Sequence, residues 1–287
     1  MTASLETLVV TAYLFADELA FPRPGPKGEI TDAELIALAV AQASMGVPSD
    51  RQFLGLIAKV LPGWFPHLPC QSQYNRRLRR LAPAIAGVQL RIAELIATHE
   101  LVLADGTLVG VANYAGCASR SEFAGTAAYG YCAAKSQYVW GMRLVLMTDP
   151  SGAPVGYTLV AANEREYEPV RELATAHAGC TLIADKGLWG REYRETLALQ
   201  GIRLLTPDRV RTADNLAHEK RLASQRLVIE STISNLKCQM RLEQHLAKTP
   251  AGLVQRIAQR LLALTIGMLI NALTGRPPRG LAAYDGR

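Results

Sequence analysis

Three acidic residues stand in settings that suit chemistry on phosphate esters. Asp105 closes the apolar run Leu101-Val102-Leu103-Ala104 and precedes Gly106. Asp185 closes Cys180-Thr181-Leu182-Ile183-Ala184 and precedes Lys186-Gly187. Both runs read as buried strands, and Glu230 lies in a stretch whose Ile229, Ile233, Leu236 and Met240 recur at helical spacing. Hard cations such as Mg²⁺ bind oxygen ligands and share them with substrate phosphates. Two such ions about 4 Å apart activate an attacking oxygen and stabilise a leaving one. Three carboxylates gathered without a cation repel one another, which raises at least one pKa. Two strand-end aspartates and a helical glutamate therefore suit a carboxylate cage. An Asp before Gly is also an ordinary turn residue, so neither aspartate carries this reading alone.

Basic residues flank the acids. Arg226 precedes Glu230 by one helical turn and Lys237 follows it by two, so the three share one side of a helix. Either the two cations face DNA phosphate, or Arg226–Glu230 is an ordinary i,i+4 ion pair and Lys237 is solvated. Lys186 sits beside a scissile phosphate or is a surface lysine. Earlier, Ser72-Gln73-Tyr74-Asn75 leads into Arg76, Arg77, Arg79 and Arg80. Such a helix suits a phosphate backbone, and Arg and Asn also read base edges. Short helices followed by a basic one resemble a helix-turn-helix arrangement; the alternative is a solvated basic face. Val210 to Arg226, with Arg211, Lys220 and Arg221, reads as a mobile DNA-contacting loop or a plain surface connection. The acids of Asn163-Glu164-Arg165-Glu166 read as charges at a helix N-terminus.

The elements that must position these residues change character near residue 100. The first part, residues 1–99, is helical. Thr31-Asp32-Ala33-Glu34 is a capping box for a helix through Met45, Pro48-Ser49-Asp50 opens a second toward Val60, and a third runs from Gln71 toward Thr98, broken near Pro83. Phe21 to Gly28 reads as a linker. In residues 100–287 strands dominate: the run before Asp105, then Tyr138–Met147 and Val155–Ala161 as a hairpin across Asp149-Pro150-Ser151-Gly152. Glu166–His177 reads as helix, Thr181–Ala184 as strand, Arg191–Gln200 as helix, Ile202–Leu205 as strand, and Ser224–Met240 as helix. That order predicts a mixed sheet with flanking helices, and it matches the ribonuclease H-like fold. In that fold the strand ending in Asp105 and the one ending in Asp185, fourth in order, lie side by side, and the later helix brings Glu230 to them.

The chain has 287 residues, 49% of them hydrophobic, with a net charge of +6 and a pI near 9.1. That balance suits a polyanionic partner without requiring one. Its five cysteines form no C-x-x-C pair, which argues against structural zinc and for reduced thiols in a cytoplasmic compartment. The five histidines show no ligand spacing. The start, Met1-Thr2-Ala3-Ser4-Leu5-Glu6, lacks the basic region of a secretory signal. The apolar stretch between Arg260 and Arg276 is about one turn short of a comfortable membrane span and reads as a buried helix.

Together these segments resemble bacterial insertion-sequence transposases of the DDE superfamily. The resemblance rests on Leu103-Ala104-Asp105-Gly106-Thr107, Ile183-Ala184-Asp185-Lys186-Gly187, and Ile229-Glu230-Ser231 through Leu236-Lys237. Arg226-x₃-Glu230-x₆-Lys237 is similar to the Tyr-x₂-Arg-x₃-Glu-x₆-Lys signature of one large transposase group, with Ala223 at the tyrosine position. Tyr129-Gly130-Tyr131-Cys132 and Thr249 through Ala263 also look like family segments, so the resemblance covers nearly the whole chain. It implies a catalytic domain whose Asp105, Asp185 and Glu230 hold two Mg²⁺ or Mn²⁺ ions. Water would cut the element's end to leave a 3′-hydroxyl, which would then attack target DNA. The partners implied are double-stranded DNA, as terminal inverted repeats and as target, and a second copy of the chain in a homodimer on DNA; no membrane is involved. Two other classes stay open: a metal-dependent nuclease of the same fold that cuts without joining, and a DNA-binding protein without catalysis.

Overall fold

The computed structural model describes residues 4–19, 29–112, 116–188, 190–207 and 216–281. The linker expected at Phe21–Gly28 and the first part of the basic loop, residues 210–215, lie outside the described residues. The chain divides into two compact units, one of Met1–Leu95 with Asn235–Arg287 and one of Ile96–Ser234.

The first unit is helical: α1 (Leu5–Glu18), α2 (Asp32–Ser44), α3 (Asp50–Val60), α4 (Gln71–Arg80) and α5, which begins at Ala82. The capping box forms as the sequence predicts: Thr31 Oγ1 accepts from the Glu34 amide at 3.1 Å, and Glu34 Oε2 accepts from the Thr31 amide at 2.5 Å. The break between α4 and α5 falls at Leu81, two residues before Pro83. α3 and α4 are separated by residues 61–70, which hold Pro62, Pro66 and Pro69. A helix-turn-helix uses a turn of about three or four residues, so this connection is a proline-rich loop rather than a tight turn. The long helix Pro250–Leu273 packs among these helices, and 94% of its most apolar window is buried although its length and composition would allow a membrane span. It carries Arg256, whose guanidinium meets Asp50 at 2.5 Å with both side chains almost wholly buried. Gln42 and Tyr74 complete that buried network.

The second unit holds the sheet. Its strands are β1 (Leu101–Ala112), β2 (Ala128–Cys132), β3 (Gln137–Thr148), β4 (Pro154–Ala161), β5 (Thr181–Ile183) and β6 (Arg203–Leu205). The order is β2-β3-β1-β5-β6, with β4 also paired to β3. β3 runs antiparallel to β1, β2 and β4, whereas β1, β5 and β6 are mutually parallel. The short helix α6 (Cys117–Arg120) follows β1; α7 (Tyr167–Ala174) and α8 (Arg191–Leu199) flank the sheet, and α9 begins at Leu216 and runs to Cys238. This is the ribonuclease H-like mixed sheet expected from the order of elements, preceded by helices.

Three details differ from the sequence reading. β2 is an additional strand, so the Thr181 strand is the fifth in chain order, although it still lies beside β1. β1 does not stop at Asp105 but continues to Ala112, because β3 pairs with it throughout, Asp105 opposite Leu146 and Gly106 opposite Val145. The basic loop expected through Arg226 is helical from Leu216 onward.

Candidate active site

Strand alternation decides which way each residue of β1 faces. Val102 and Ala104 enter a buried cluster with Val145, Met147, Val170, Leu182, Ala184 and Leu197. Leu103 and Asp105 therefore face the other side of the sheet. The parallel pairing of β1 with β5 sets Leu103 opposite Ile183. Asp105 lies two residues beyond that pair on β1, and Asp185 lies two residues beyond it in the segment that follows β5. The β1–β5 pairing is the adjacency that the ribonuclease H-like resemblance implies.

Asp105 is partly buried and accepts from the Gly106 amide at 2.8 Å. Burial pushes its carboxyl up to about 6; the Gly106 amide opposes that shift, Glu166 adds to it, Arg226 opposes it and Glu230 adds to it. Arg226 and Glu230, both on α9, are thereby within electrostatic reach of Asp105. Asp185 begins the turn after β5, whose Leu188 amide donates to the Asp185 carbonyl at 2.9 Å. The Tyr167 hydroxyl holds the same turn by donating to the Gly187 carbonyl at 2.8 Å.

α9 brings up the third acid. Its buried Ile229 and Ile233 form the apolar stripe read from the sequence, and buried Thr232 donates to the Gly152 carbonyl at 3.0 Å, which ties the helix to the β3–β4 turn. Glu230 stays exposed. Arg226 joins two of the acids: its Nη1 lies 3.0 Å from Asp185 Oδ1 and its Nη2 3.8 Å from Glu230 Oε1. Arg226 therefore joins Asp185 to Glu230, and Asp105 stands on the strand beside the one that leads to Asp185.

The remaining cations are placed differently. Lys186 is exposed beside Asp185. Lys237 belongs to the helical unit, where its Nζ lies 3.6 Å from Glu243. On α4, Arg76, Arg79 and Arg80 are exposed, whereas Arg77 donates to Asp32 at 2.5 Å and to the Ile30 carbonyl at 3.0 Å.

Two residues near the site have partners that the sequence does not show. Glu166 stands at the start of α7, as its sequence position suggests, and also forms a short ion pair with Arg143 from β3. Arg143 also donates to the Ala162 carbonyl at 3.2 Å. The only sequence signal was an arginine inside an otherwise apolar strand.

The donor set suits a hard divalent cation, because all three acids offer carboxylate oxygens and the raised Asp105 pKa reflects burial and negative neighbours that a cation would relieve. Among the described residues no three acidic, histidine or cysteine side chains are already drawn into a cage; the Arg226 guanidinium supplies the positive charge between Asp185 and Glu230.

A family model described as the transposase DDE domain matches residues 96–266. No curated protein matches the chain. Among solved structures, the chain is similar to a piggyBac transposase synaptic complex with hairpin DNA, at 10% identity over 96% of this chain and 76% of that one, with a TM-score of 0.47. It is also similar to a Mos1 transposase paired-end complex with the left transposon end, at 12% identity over 78% and 81% of the two chains, with a TM-score of 0.24.

Proposed function

The chain belongs to the DDE-domain transposases, and from that premise we propose that it cuts the ends of its own insertion sequence and joins them to target DNA at one acidic site. Asp105, Asp185 and Glu230 are the residues that would hold two Mg²⁺ or Mn²⁺ ions there. When bound, these ions supply the positive charge that orients the phosphate and stabilises the leaving oxygen. The rest is positioning. The Gly106 amide fixes the Asp105 carboxylate, Tyr167 fixes the turn that carries Asp185, and Thr232 anchors the helix that carries Glu230. Arg226 and Lys186 face DNA phosphate, and Lys237 offers a further cation from the helical unit.

The helical segment, residues 1–99, contacts the terminal repeats through Arg76, Arg77, Arg79 and Arg80, with Arg77 the most committed to its own unit. Two element ends call for two copies of the chain, a homodimer on DNA, working on the chromosome in the bacterial cytoplasm. The single observation that carries this reading is that Arg226 joins Asp185 to Glu230 while Asp105 stands on the strand beside the one that leads to Asp185.

The test is incubation of a labelled duplex bearing the element's terminus with a target duplex and Mg²⁺ or Mn²⁺. Wild type should yield a free 3′-hydroxyl and a joined product; Asp185→Asn should lose both and still bind DNA. Cleavage without joining would make the protein a nuclease. Binding without metal-dependent cleavage by wild type would leave only a DNA-binding protein.

A further inference from the structure

We infer that Arg226 is a built-in counter-ion of the acidic cleft: it pairs with Asp185 and Glu230 in the metal-free protein, yields to a divalent cation, and is thereby released toward DNA phosphate. This rests on the proposed role of the three acids. One guanidinium spans two carboxylates from different elements, Asp185 after β5 and Glu230 on α9, at 3.0 and 3.8 Å. Both carboxylates would be ligands. A cation that takes their oxygens also places positive charge against the guanidinium, so the two occupancies exclude each other.

The pair is built to open. The Asp185 and Glu230 side chains are 39% and 49% exposed and that of Arg226 is 25% exposed. Ion pairs so open to water are weak and readily exchanged. The helix itself need not move: Thr232, two residues after Glu230, is buried and holds α9 to Gly152. Only the Arg226 side chain must swing, and its flat fork of donors matches phosphate as well as it matches carboxylate. Metal loading and DNA binding then become coupled, since each favours the released guanidinium. Linkage requires the coupling to be reciprocal, so DNA tightens metal binding by the factor by which metal tightens DNA binding.

The experiment is Mn²⁺ binding to the full chain without DNA, with the free ion counted by electron paramagnetic resonance, for wild type, Arg226→Gln and Arg226→Lys. Arg226→Gln should bind Mn²⁺ about fivefold more tightly, the scale of releasing exposed ion pairs, with Arg226→Lys in between. In wild type, the Arg226 Nε–H nuclear magnetic resonance signal should shift as Mg²⁺ is added, a readout that does not depend on how the variants fold. Equal or weaker Mn²⁺ binding by Arg226→Gln, together with an Nε–H signal that saturating Mg²⁺ leaves in place, would overturn the counter-ion role while the acids keep theirs. No Mn²⁺ binding by wild type or either variant would remove the reading of the acids, and this inference with it.

Discussion

Glu166 closes over Gly106: a Cβ built on Gly106 would lie 2.7 Å from Glu166 Cδ. The glycine beside Asp105 is therefore more than a turn residue. Its missing side chain lets the Glu166 carboxylate pack against the strand where Arg143 can hold it. Gly106→Ala must push Glu166 off Arg143 or shift β1. The clashing atoms are the far end of a flexible side chain, so Glu166 can give way, and the cost is that of its pairing with Arg143, about 1 kcal/mol. Urea unfolding should show that loss, and Glu166→Ala in the same chain should recover part of it, because the two positions touch. A Gly106→Ala protein as stable as wild type would show that the close approach is not obligatory.

The Asp105 carboxyl gives a pH dependence whose sign follows from the direction of its shift. Burial, the largest cause, raises it to about 6 in the folded chain, against about 3.9 in an unfolded one. Between those values the folded state binds more protons than the unfolded state, so the Asp105 contribution to stability falls as pH rises from about 4 to about 6. Asp105→Asn removes the ionising group. In metal-free buffer at pH 7.5 the variant should be more stable than wild type by about 2–3 kcal/mol, and at pH 4 the difference should vanish. Mg²⁺ should narrow the gap at pH 7.5 by stabilising wild type.

The helical unit depends on a different pairing of charge. Asp50 and Arg256 are 4% and 6% exposed at their side chains, and Asp50 also accepts from Gln42 at 2.9 Å and from Asn75 at 3.1 Å. Asp50→Ala strands a buried guanidinium and should cost about 3–5 kcal/mol in chemical denaturation. Replacing both partners with apolar residues, Asp50→Leu with Arg256→Met, should cost less than Asp50→Ala alone.

The four arginines of α4 should separate into two behaviours. Arg77 is fastened to Asp32 and the Ile30 carbonyl, so Arg77→Gln should lower stability by about 1–3 kcal/mol. Arg76→Gln and Arg79→Gln change exposed residues and should leave the melting temperature nearly unmoved. If they touch phosphate, each should flatten the salt dependence of DNA binding by about one unit of slope. Unchanged affinity and slope in both would place the DNA contact elsewhere.

Much of the fold was legible because it is written in local patterns. Thr31 and Glu34 announce a capping box, Ser49 a helix start, and Asp149-Pro150-Ser151-Gly152 the β3–β4 turn. What was hidden depends on partners distant in sequence. β1 reads as ending at Asp105-Gly106 because that dipeptide favours turns, and only pairing with β3 carries it to Ala112. β2 mixes glycine and tyrosine in five residues and becomes a strand only against β3. Glu166 looks like a helix-opening acid until Arg143 is placed beside it. Arg226 was readable as one turn before Glu230, but its contact with Asp185 joins segments that no periodicity links.

We propose that Asp105, Asp185 and Glu230 work as one site, and the most direct test is cleavage of the labelled element end in Mg²⁺ by three isosteric variants and their doubles. Asp105→Asn, Asp185→Asn and Glu230→Gln should each abolish cleavage while leaving DNA binding intact. Any double variant should be no worse than the singles, as expected of groups that act as a unit. A single variant that cuts at the wild-type rate would contradict the account by removing that residue from the site.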